Sequence, residues 1–104
     1  TTDHPTGGPF TSYPWVIKLL MDRDYREETA QTVSKRALGS SELPELTREY
    51  TLEEIAIITR AGPAKTLGLA NKGHLGIGAD ADIAVYRPNS DFEVMFQAAA
   101  YVQA

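Results

Sequence analysis

Apolar residues change their spacing along this chain, from a helical repeat before Gly73 to a strand-like pattern after it. The opening Thr1 to Pro14 carries Pro5, Gly7, Gly8, Pro9 and Pro14, too much punctuation for regular structure, and reads as a loop. Pro14 suits the first turn of a helix, and Trp15, Val16, Leu19 and Leu20 then recur at helical spacing as far as Met21. A short amphipathic helix is predicted there.

From Asp24 to Leu38 the charges follow the sign of a helix dipole. Glu27 and Glu28 lie in the first turn, Lys35 and Arg36 in the last, and Gly39 just beyond, so one second helix is predicted. Gly39 to Glu49 is a connecting loop. Thr51-Leu52-Glu53-Glu54 then fits a capping box, in which the Thr51 hydroxyl takes the Glu54 amide and the Glu54 carboxylate reaches back. Pro63 interrupts this helix and restarts another through Leu67, which Gly68 ends, so two helices should meet at a bend.

Trp15 to Leu69 should therefore be mainly helical. Leu75 and Ile77 alternate with glycines, Gly78 to Asp80 make a turn, and Asp82 to Tyr86 is rich in strand formers, so Gly73 to Tyr86 should form a hairpin or bulged strand pair. In the tail from Ala98 to Ala104, Tyr101 and Val102 would start another strand with no partner following. The expected common core is Ile55, Ile58, Leu67, Leu69, Ile83 and Val85.

Composition narrows the function. The 104 residues are 42% hydrophobic and 23% charged, enough for one ordinary globular unit and too few for a second catalytic domain. With no cysteine, thiolate metal sites and Cys nucleophiles are excluded, and a cytoplasmic setting is expected. A net charge of -4 with mixed signs offers no basic stripe for phosphates, so nucleic acid is not an expected partner. No apolar run is long enough for a membrane span.

Four motifs compete for chemistry. Gly76-Ile77-Gly78-Ala79-Asp80-Ala81 satisfies a loose dinucleotide fingerprint, but a strand follows it where a helix is needed, so no cofactor-binding residue is assigned. Asp80 and Asp82 lack the rest of a calcium loop and read as turn residues. His74 has no second histidine at ligand spacing. Asp3-His4 is different, because it opens a glycine- and proline-rich loop with two side chains able to bind metal or move protons. The bland alternative is that Asp3 caps a turn and His4 is solvated, and these residues alone favour it.

Longer motifs supply the context that decides. Thr51 to Ile55, Gly62-Pro63-Ala64-Lys65-Thr66-Leu67-Gly68-Leu69 and Gly73 to Ile83 together resemble the tail of the amidohydrolase superfamily, and Gly78-Ala79-Asp80-Ala81-Asp82-Ile83 is shared by dihydroorotases, hydantoinases and urease α chains. Thr1-Thr2-Asp3-His4-Pro5, Gly7-Gly8-Pro9-Phe10-Thr11, Tyr13-Pro14, Glu49-Tyr50-Thr51 and Ile55 to Pro63 are similar, more narrowly, to the family of formylmethanofuran dehydrogenase A subunits. The tail after Pro88 departs from that pattern, since Gln103-Ala104 stands where a basic residue and a glycine turn are expected.

The resemblance implies an α+β piece of a larger enzyme: residues 1–72 as the last helices and active-site loop of a (β/α)8 barrel, residues 73–104 as strands of the flanking composite β-sandwich. It implies that Asp3 is both a metal ligand and a catalytic proton carrier, with His4 in a supporting role behind the metal ligands. The implied parent condenses formate with methanofuran in CO2 reduction and methanogenesis. It would hold a binuclear zinc centre whose other ligands precede this segment, and would work beside another subunit carrying a molybdenum or tungsten pterin. The segment alone is expected to be inert, to bind zinc only weakly and to be prone to self-association. A fragment of a cyclic-amide hydrolase and a small non-catalytic interaction domain are the alternatives.

Overall fold

The computed structural model describes residues 3–97 and 99–102. Thr1, Thr2, Ala98, Gln103 and Ala104, and with them the start of the expected motif and the ends of the expected tail strand, lie outside the described residues. The chain divides into two compact units, one built from the segment up to Glu49 with Pro88–Gln97, the other from Tyr50–Arg87 with the last strand.

In the first unit a 3-10 turn, Phe10–Ser12, leads into helix α1, Tyr13–Met21, with Pro14 in the first turn as expected. Helix α2, Arg23–Thr32, follows after one residue. Asp22 serves both helices: its N–H donates to the Lys18 carbonyl at the end of α1, and its carboxylate accepts from the Tyr25 N–H at 2.9 Å. The chain can therefore turn sharply without leaving helix ends unsatisfied.

The single helix expected from Asp24 to Leu38 is broken. Val33 and Ser34 are extended, and a short helix α3, Lys35–Leu38, restarts with the Ser34 hydroxyl accepting from the Ala37 N–H. Thr32 and Val33 are β-branched, and Ser34 gains more as a cap than inside a helix. Helix α6, Phe92–Gln97, has no counterpart among the sequence expectations; it starts at Asp91, whose carboxylate accepts from the Glu93 N–H, and it packs on α1. Because α1 meets both α2 and α6, its most buried residues are Ile17, Leu19 and Met21, while Trp15 lies outward.

The second unit begins with helix α4, Leu52–Ala56, whose capping box forms as expected: the Glu54 N–H donates to the Thr51 hydroxyl, and the Glu54 carboxylate accepts from the Thr51 N–H at 2.9 Å. A π turn, Ile57–Ala61, then carries the chain into helix α5, Gly62–Thr66. The Gly62 N–H reaches back five residues to the Ile57 carbonyl, so the turn widens just before Pro63, which has no N–H to give. The predicted meeting of two helices is thus a π turn between two helical stretches.

Gly68 ends α5 as expected. It adopts φ +71, its N–H donates to the Lys65 carbonyl, and the Leu69 N–H donates to the Ala64 carbonyl at 2.9 Å. The predicted hairpin is corrected at this point: residues 69–82 are turns, and Leu75 and Ile77 stand in solvent. Gly76, Gly78 and Gly73 flank them too closely for a strand ladder, and Gly78 at φ +88 closes a turn in which the Ala79 N–H donates to the Gly76 carbonyl. Strand β1, Ile83–Tyr86, pairs instead with strand β2, Ala99–Val102, antiparallel, Ile83 opposite Val102 and Tyr86 opposite Ala99. The tail strand therefore has a partner.

The expected common core is also corrected. Ile55 is 2% exposed, but Ile58, Leu67, Leu69, Ile83 and Val85 are not buried, Leu67 least of all. On β1 the half-buried positions are Ala84 and Tyr86, one residue out of register with the expectation, so the apolar face chosen from sequence is the outer one.

Candidate functional site

Asp3 sits in the left-handed region at φ +52, a conformation that Asp tolerates better than most residues because its short polar chain can bond locally. Its carbonyl accepts from the Gly7 N–H at 2.7 Å, closing a tight turn over Pro5 and Thr6. The His4–Pro5 peptide is cis. Asp3 and His4 are both exposed, and this turn presents them adjacent to each other.

His4 is committed to a neighbour. Its ring meets Phe10 edge to face, with centroids 5.0 Å apart and planes inclined at 62°. Phe10 itself is 62% exposed, and Tyr13, three residues on, is open as well. Sequence reasoning did not single out Phe10, whose contact with His4 leaves no local signal in the sequence.

The other sequence candidates have structural occupations. Lys72 Nζ bridges Asp80 at 2.8 Å and Asp82 at 2.5 Å, so the two carboxylates already share a cation. Those two hydrogen bonds, Asp80 first, push the Lys72 pKa well above its ordinary value. His74 Nδ1 accepts from the Gly76 N–H, which leaves Nε2–H to donate to the Ala70 carbonyl at 3.0 Å. Both ring nitrogens are used in shaping the turn.

The buried polar residue that sequence reasoning missed is Arg26, 4% exposed. Its Nη1 donates to the Leu19 and Leu20 carbonyls, and its Nη2 donates to those of Leu46 and Arg48 at 2.9 Å each. One guanidinium thus ties the end of α1 to the loop that follows the 3-10 turn Leu43–Glu45.

Among the described residues, no group of three or more His, Cys, Asp or Glu side chains comes together to hold a metal. Catalytic zinc takes about three protein ligands. Among the described residues, no helix is long and apolar enough to cross a membrane.

The chain belongs to the amidohydrolase family, whose model matches residues 1–101. It is 50% identical over 102 residues to the A subunit of the formyltransferase/hydrolase complex Fhc of Methylorubrum extorquens, a match that covers 98% of this chain and 19% of that protein. It is 49% identical over 110 residues to protein FwdA of Methanocaldococcus jannaschii, again 98% of this chain and 19% of the relative. The crystal structure of the formyltransferase/hydrolase complex FhcABCD from Methylorubrum extorquens with methylofuran contains a chain matching with TM-score 0.89 and 48% identity, over 99% of this chain and 19% of that one. The chain thus spans about a fifth of the length of the relatives it matches.

Proposed function

We propose that this chain is the C-terminal portion of a formyl-transferring amidohydrolase subunit of the formylmethanofuran dehydrogenase and formyltransferase/hydrolase type. The observation that carries this reading is identity of about half, sustained over 98% of the chain, with the Fhc relative. The Asp3 loop is the part of the chain suited to chemistry: an exposed carboxylate held by a turn whose backbone tolerates few residues.

In this reading the parent joins formate to the amine of a methanofuran-type carrier, and assembles with the other subunits of its complex, as the FhcABCD relative does. As the new C–N bond forms and one C–O bond of formate breaks, the ammonium form of the amine gives up two protons, and the departing oxygen takes both and leaves as water, with Asp3 accepting one of them from nitrogen and passing it on. A zinc pair, held by ligands elsewhere in the parent and by Asp3, would supply Lewis acidity when bound. Oxidoreduction of CO2, with its molybdenum or tungsten pterin, would belong to a separate subunit. The cysteine-free sequence accords with a cytoplasmic location.

The same reading makes residues 1–72 the end of a barrel and 73–104 part of a flanking sandwich. Ile83 and Val85 on the open face of a two-stranded sheet support further strands in the parent, since such a pair is marginal alone.

The test is Asp3→Asn in the full-length subunit within its complex, assayed for formyl transfer and for zinc content. Transfer should be nearly abolished with the fold retained. Near-normal transfer with full zinc occupancy would remove Asp3 from the mechanism.

A further inference from the structure

We draw no further inference here: the strongest candidate, the hollow of about 200 Å³ between α2 and the loop from Leu43 to Thr47, lined by the buried Arg26, carries none because Arg26 spends both terminal nitrogens on four backbone carbonyls and nothing in the structure shows what covers this face.

Discussion

Lys18 and Asp91 are 73 residues apart in sequence and meet at 3.1 Å, joining α1 to the first turn of α6. Asp91 is also the cap of α6, accepting from the Glu93 N–H, while Lys18 lies 4.5 Å from the centre of the Tyr25 ring. The hydrogen bond from Lys18 is the main reason the Asp91 carboxyl titrates below its ordinary value of 3.8, and the bond to Asp91 is the main reason the Lys18 amine titrates above its ordinary value.

The pH dependence follows from those signs. A carboxylate with a depressed pKa stabilises the fold above its unfolded pKa, and that contribution disappears as pH falls through the folded pKa. Docking of α6 on α1 should therefore weaken below about pH 4, on the principle that protonation removes the pair. Thermal melts of the wild-type chain should show this decline, and Asp91→Asn, which keeps the cap but not the charge, should flatten it. Carboxyl NMR should place the Asp91 midpoint below that of a model peptide; a midpoint above it would show that the pair does not form in solution.

Arg26 makes a second, stronger demand. Its side chain is buried and gives hydrogen bonds to four carbonyls, so truncation leaves those acceptors without their donor. Arg26→Ala should cost about 2–4 kcal/mol by urea unfolding, given the penalty for stranded buried polar groups. Arg26→Lys should recover less than half, because an ammonium cannot reproduce the planar fork. A cost within error of zero for Arg26→Ala would mean that the loop carrying Leu46 and Arg48 is held by other contacts.

Two glycines offer an internal control. At Gly73, φ +79, an added Cβ would lie 2.6 Å from the Arg60 carbonyl oxygen and 2.7 Å from the Ala64 side chain. At Gly68, φ +71, it would meet nothing. Gly68→Ala should cost about 1 kcal/mol, the conformational term alone. Gly73→Ala adds backbone overlap and should cost more than twice that, with the α5 region as the part that loses hydrogen-exchange protection. Equal costs at the two sites would show that the turn after α5 yields freely.

Local signals were legible in the sequence, and pairings were not. The Thr51–Glu54 box, Pro14 at a helix start and Gly68 at a helix end each depend on neighbours within a few residues, and all three form as their chemistry dictates. The strand register failed because Ile83 and Val85 look like core on composition alone, whereas β1 turns Ala84 and Tyr86 inward and takes a partner from the far end of the unit. Arg26 gave no warning, since nothing local marks a guanidinium that will meet four carbonyls from two separate segments. The Asp3 loop was visible as glycine and proline punctuation. Its partner Phe10 was not, because an edge-to-face contact with His4 six residues away has no periodicity to read.

The left-handed backbone at Asp3 separates its structural role from the chemical one proposed for it. Glycine adopts φ +52 without steric cost and asparagine tolerates it almost as well as aspartate, so neither substitution should disturb the turn closed by Gly7. Asp3→Gly should keep the parent folded, since glycine reaches this φ without steric cost. Formyl transfer should nonetheless fall by at least about a hundredfold in both Asp3→Gly and Asp3→Asn, the scale for loss of a positioned proton carrier. His4→Gln keeps the carboxylate and should lose less. A folded, inactive Asp3→Gly subunit is the signature of a residue retained for chemistry. If Asp3→Gly were instead unfolded and Asp3→Asn fully active, Asp3 would be a turn former with no part in the reaction.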